Sequence, residues 1–307
     1  MSPFVATTFI CKRPSLAFFS LLILSVSAYC GGEGWPEGYS VAEDSISPDG
    51  RFGVLLPSRE AVGDAEEDTI KNFLVDLPSY RKIAAIRGAH YFPGENHRDL
   101  HVTWAKDSDW VVVTYEERYG FENITLVSTR GRDFSQTDLG RHIQKALNAA
   151  ISRQTGSPES SGYGSAYFRA GSGREILVRA TALTDPKGLS EEGQLYAMFL
   201  GTFNPATGKW IRSEAGKIDS LDDMTTAFSG GFNEGMVFAN EENRLSWHDD
   251  RLNEVYRALR VLLPPDRFAR VKKDQIAWLK RLEATGSDKQ KADLIAARIR
   301  ELRELAW

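Results

Sequence analysis

Apolar residues recur with two different periods along this chain, and the change falls near residue 240. Before it they come in short runs of strand length, bounded by turn residues. Phe52 to Leu56, Asn72 to Leu77, Val111 to Tyr115, Ile124 to Val127, Glu175 to Leu183 and Leu195 to Phe203 are the clearest. Ser47-Pro48-Asp49-Gly50 is a strong turn signal, because Pro presets φ at the second position and Gly accepts the geometry that follows. Asn204-Pro205-Ala206-Thr207-Gly208 is a second, leading into a strand at Lys209. Ile124 to Val127 is expected to return along Val111 to Tyr115 as a hairpin across 116–122.

One stretch of this part has the other period. Leu139, Ile143, Ala146, Leu147, Ala150 and Ile151 fall three and four apart, which predicts a helix of roughly four turns. Ser157 to Gly164 then reads as a Pro/Ser/Gly linker, and Met224 to Asn243, poor in signals, as a bridge.

From Arg244 the helical period takes over. Leu245, Leu252, Val255, Tyr256, Leu259 and Leu262 trace one face, and Pro264-Pro265 stops it because neither residue donates a backbone hydrogen bond. A second helix carries Phe268, Val271, Gln275, Trp278, Leu279 and Leu282 and ends near Gly286. Ser287 and Gln290 make a capping box for a third, which presents Leu294, Ile295, Ile299, Leu302 and Leu305. Three apolar stripes bury only against one another or against the rest of the protein. The predicted fold class is therefore α+β: a β-rich N-terminal body, partly propeller-like or built of antiparallel sheets, over 29–243, followed by a three-helix module over 244–307.

Residues 1–28 have the order of a secretory signal. Lys12 and Arg13 precede an apolar run from Leu16 to Val26, and Val26-Ser27-Ala28 is a small-residue cleavage site. The run is too short to cross a bilayer, so no transmembrane span is expected after cleavage, and the mature chain is expected in the periplasm or outside the cell. The alternative is a lipoprotein acylated at Cys30, but Ser27 and Tyr29 stand where such sites carry Leu and a small residue. With Cys11 removed, Cys30 is the sole thiol of the mature chain, which excludes an internal disulfide.

Two segments of the body repeat. Ser45 to Leu55 matches Thr103 to Val113 in character, with Asp49 on Asp107 and Phe52 on Trp110. These turns resemble those of propeller blades of the TolB type. In the helical part, Leu252-Asn253 with Tyr256 and Leu259, then Leu263 and Gln275-Ile276-Ala277-Trp278-Leu279, resemble the LprI-type lysozyme inhibitor domain, a small helical module of exported bacterial proteins. The resemblance covers about a fifth of the chain. Where that family has an Arg-Asp pair and stapling cysteines, this chain has Leu282-Glu283 and no Cys. It implies a link to lysozyme inhibition and makes Asn253, Tyr256, Gln275 and Trp278 the candidate binding residues. Without the family, the two aromatics read as pins between helices whose polar tips reach a partner.

Charge modifies this picture. The formal net charge is −4. Residues 244–307 hold 15 Lys and Arg against 10 Asp and Glu, a balance of +5, which leaves 38 − 15 = 23 basic and 42 − 10 = 32 acidic residues, or −9, for the remainder. A basic module meets a basic lysozyme with repulsion unless the acidic body makes the contact. Acidic residues interrupt the basic ones throughout the helices, as on a solvated face, so no nucleic acid is expected as partner.

The chain has no nucleophile elbow, P-loop or zincin motif, and no cofactor is implied. His97, Asp99 and His101 would share one face of a strand, where imidazole and carboxylate hold zinc. They define the alternative reading, a metal-dependent hydrolase. The leading expectation is an exported, non-catalytic protein that binds an envelope protein or glycan.

Overall fold

The computed structural model describes residues 34–66, 69–130, 134–171, 174–184, 193–229 and 238–307. The predicted leader and Cys30 lie outside the described residues. The chain is α+β, with a β-rich N-terminal body and C-terminal helices.

Its strands form three successive four-stranded antiparallel meanders. The first comprises β1 (Tyr39–Val41), β2 (Phe52–Pro57), β3 (Phe73–Asp76) and β4 (Arg81–Ala85), with the short helix α1 (Arg59–Val62) between β2 and β3. The second comprises β5 (Asp99–Trp104), β6 (Trp110–Glu117), β7 (Gly120–Ser128) and β8 (Gln136–Asp138). After helix α2 (Gly140–Thr155) comes the third, β9 (Tyr163–Ala170), β10 (Ile176–Leu183), β11 (Tyr196–Asn204) and β12 (Lys209–Ile218). Four helices follow: α3 (Leu221–Phe228), α4 (Glu241–Leu262), α5 (Pro265–Glu283) and α6 (Asp288–Ala306).

Strand β6 shows why apolar runs rather than alternation marked these strands. Both of its faces are buried, so both must be apolar. Val111, Val113 and Tyr115 pack with Phe52, Val54 and Leu74 of the first meander. Trp110 and Val112 point the other way, into a core with Leu139, Ile143 and Leu147 at the start and along the inner face of α2. The third meander is sandwiched in the same way. Val178 and Ala180 of β10 and Phe199 of β11 face α2, whereas Met198 and Leu200 face the helices. Burying each such aliphatic side chain contributes roughly 1.5–3 kcal/mol.

The helices share one core with that sheet face. Leu252, Val255 and Leu259 of α4, Val271 and Trp278 of α5, and Ile295, Ile299 and Leu302 of α6 join Met198, Ile218, Met224 and Phe228. Arg257 of α4 forks onto Asp223 of α3 at 3.0 and 2.9 Å. Asn240 caps α4 by accepting from the Asn243 N–H at 2.8 Å. Pro264 and Pro265 separate α4 from α5, as expected, and Ser287 accepts from the Gln290 N–H at the start of α6. Among the described residues no helix is long and apolar enough to cross a membrane.

Three expectations need correction. The linker assigned to 157–164 ends in β9, whose first residues, Tyr163 and Gly164, already pair with Leu183 and Ala182. The supposed bridge from Met224 contains most of α3, which Ser220 caps through the Asp223 N–H. The β6–β7 hairpin is tighter than 116–122, because Glu117 pairs with Gly120 and only Arg118 and Tyr119 turn.

The repeated turns occupy equivalent places, each just before the second strand of its meander, and they touch. The Asp49 N–H donates to Ser108 Oγ at 3.3 Å, Trp104 Nε1 donates to the Ser45 carbonyl at 2.8 Å, and the rings of Phe52 and Trp104 stack at 6.1 Å.

Candidate binding cleft

The second and third meanders are joined by one parallel residue pair, Gly120 with Gly164. Only glycine permits this approach: a Cβ on Gly120 would lie 2.5 Å from the Gly164 backbone, and the Gly120 φ is +132°. Past that point β9 leaves β7, and a cleft of about 920 Å³ opens beside it.

Three walls enclose the cleft. One is the sheet face that carries His101 and Thr103 of β5 with Thr114 and Glu116 of β6. The second is β9 itself, from Ser165 through Arg169. The third comes from the helices: Phe228 at the end of α3, and Arg300, Arg303, Glu304 and Trp307 at the end of α6. Aromatic rings floor the helical side, with Tyr167 and Phe228 6.1 Å apart and Phe228 and Trp307 also 6.1 Å apart.

Cations outnumber anions here. Arg169, Arg300 and Arg303 face two carboxylates, Glu116 and Glu304. Arg169 donates to Glu304, and that hydrogen bond, the largest influence on it, holds the Glu304 carboxyl below its ordinary range. Burial pushes the Arg303 guanidinium below its ordinary value, an effect that Glu304 opposes and the neighbouring Arg169 reinforces. Glu116 sits 3.3 Å from His101 Nε2. Hydrogen bonding to it raises the imidazole above its ordinary range, against the opposing effect of burial and with help from Asp99 at 3.7 Å. Burial also raises the Tyr167 hydroxyl.

The predicted metal triad does not assemble. Asp99 and His101 are the first and third residues of β5 and share a face, as expected. His97 precedes the strand with a left-handed φ of +59°, which takes it out of the strand's alternation. Asp99 Oδ1 accepts from the Leu100 N–H, and His101 turns to Glu116. Among the described residues no group of three or more His, Cys, Asp or Glu side chains is placed to hold a metal ion.

The four helical candidates lie outside the cleft. Gln275 and Trp278 are buried in α5 and meet at Arg298 of α6, whose Nε donates to Gln275 Oε1 at 2.9 Å and whose guanidinium lies 5.9 Å from the Trp278 ring centre. Tyr256 packs on Phe268, ring centres 5.3 Å apart, and so joins α4 to α5. Asn253 is exposed and bonds back to the Asp249 carbonyl on its own helix.

Apart from His101, singled out as a metal candidate, the cleft residues escaped sequence reading. Arg300, Arg303 and Glu304 show the spacing of one helix face, but so does any solvated charged face. Nothing in the order of residues brings β9 beside them. No family model and no curated protein matches the chain.

Proposed function

We propose that the chain is an exported, non-catalytic interaction protein of the bacterial envelope, which engages an envelope protein or glycan through the cleft between its sheet body and its LprI-like helices. The observation that carries this reading is the cleft: a large concavity with an aromatic floor and converging guanidiniums, the usual make-up of a recognition site. Two of its charged pairs are already made, Arg169 with Glu304 and His101 with Glu116. Among the described residues no hydroxyl of the cleft is hydrogen-bonded to His101, as a nucleophile would be, and Ser165 Oγ turns to the Tyr163 hydroxyl at 3.2 Å. The cationic surplus favours an acidic partner. Any link to lysozyme inhibition then runs through a surface other than this cleft, since common lysozymes are basic.

The test is retention of separated envelope protein and glycan fractions on the immobilised chain. Retention of a component by the native chain and by Lys272→Glu, a charge reversal on exposed α5, with loss in Arg300→Glu/Arg303→Glu, is the expected result. Nothing above background, or equal retention by all three chains, overturns the reading.

A further inference from the structure

Five consecutive residues of β9, Ser165 to Arg169, line the cleft, although successive side chains of a strand point to opposite faces. A strand presents consecutive residues to one space only along its edge. The hydrogen bonds around β9 identify which main-chain groups are on that edge. In an antiparallel pair, residues alternate between those bonded to the partner and those turned away. The Gly171 N–H bonds the Glu175 carbonyl across the β9–β10 hairpin, the Thr184 N–H turns instead to Leu195 on the β11 side, and the Gly164 N–H turns to Tyr119. With the register Tyr167↔Arg179, residues 165, 167 and 169 bond β10. Residues 166 and 168 therefore direct their N–H and C=O groups away from it, into the cleft.

Beyond Gly164 no described strand takes those groups, since β9 pairs β7 at that one residue alone. An open strand edge is a template for another strand. Its surroundings choose the partner's charge: Arg169 on the strand itself and Arg300 and Arg303 above it favour carboxylates. The edge is bounded at one end by the Gly120–Gly164 contact, and at the other Ala170 lies with Ala105 and Trp110. The open edge thus runs from Ser165 to Arg169.

Resting on the preceding reading, we infer that the cleft receives a short, extended, acidic peptide segment of a partner protein, which bonds to the main-chain groups of Ala166 and Phe168 as an added strand while its carboxylates meet Arg169, Arg300 and Arg303.

The experiment uses a random peptide library selected on the native chain and on Ala166→Pro. That substitution removes the N–H aimed at the cleft and leaves the β9–β10 bonds intact, because residue 166 does not donate to β10. Enrichment of acidic, extended sequences on the native chain, weakened about tenfold by Ala166→Pro, is expected. Should Ala166→Pro fail to fold by circular dichroism, the selected peptide is resynthesised with alternate N-methylated residues and titrated on the native chain, and the same loss is expected. Equal binding by the variant or by the N-methylated peptide, or a selection that yields no acidic sequence, overturns the inference. An envelope component lost in Arg300→Glu/Arg303→Glu yet indifferent to Ala166→Pro would sink strand addition and leave the binding reading standing; no retained component at all would remove both.

Discussion

Arg179, midway along β10, donates from Nη2 to the Trp307 carbonyl oxygen at 2.8 Å and lies 5.3 Å from the centre of the Trp307 ring. Its Nε reaches the Ala306 carbonyl at 3.3 Å, and its Nη1 reaches Val178 and Gly201. The side chain is buried, and burial, reinforced by Arg212, lowers its pKa to about 10, so it remains charged at neutral pH. A cation under the last carbonyls of α6 suits the negative end of that helix. It fixes the end of α6 on the sheet and with it the helical wall of the cleft.

Arg179→Met is expected to strand these carbonyls and cost roughly 1–3 kcal/mol, read by chemical denaturation. Arg179→Lys should rescue little, since one ammonium does not reproduce a planar fork of donors. Full rescue by Lys would show that charge alone, and not the fork, holds the helix end.

Gly120→Ala tests the seam at which the cleft begins. The added Cβ meets the Gly164 backbone at 2.5 Å in a conformation that disfavours side chains. A loss of roughly 1–3 kcal/mol in the same measurement is expected. A neutral result would mean that β7 and β9 do not approach as closely as described.

His101 should titrate above its ordinary value of 6.5, because Glu116 and Asp99 favour the imidazolium more than burial opposes it. A raised folded pKa adds stability that is fully present below the unfolded value and is lost as pH rises through the folded one. His101→Gln should flatten that pH dependence, by a small amount because the pair is more than half exposed on the imidazole side. An NMR titration that places His101 below the ordinary value contradicts the described pair.

Trp278→Ala is expected to cost about 3–5 kcal/mol, as a buried aromatic of the helical core. Asn253→Ala, on exposed surface, should stay within about 0.5 kcal/mol of the native chain. If Trp278→Ala left stability untouched, the ring would belong to a surface and not to the core.

Much of the architecture was legible because burial imposes periodicity. β2, β6, β10, β11, α2 and the three C-terminal helices all bury enough apolar surface to print it in the sequence, down to the proline stop before α5 and the Ser287 cap. β9 did not, for a physical reason. Tyr163 to Ala170 is bonded along one side to β10 but meets β7 at Gly164 alone, so it stays largely half-buried and mixes Tyr, Arg and Ser with Ala and Phe, and its start reads as linker. β12, an outer strand with Lys209, Arg212, Glu214 and Lys217, was marked by the Asn204–Gly208 turn before it rather than by its own pattern. His97, by contrast, was misplaced because a single left-handed residue cannot be seen in a pattern of residue types. The cleft was hidden for a further reason: its walls come from β5, β9 and α6, brought together by Gly120 and Arg179 rather than by proximity in the chain.

The cleft between sheet and helices is the proposed contact surface. Hydrogen exchange of the chain with and without its retained envelope component tests it most directly. Protection confined to the amides of β9 facing the cleft and to the last turns of α6 is predicted; protection confined to the exposed face of α5, with β9 unchanged, would contradict it.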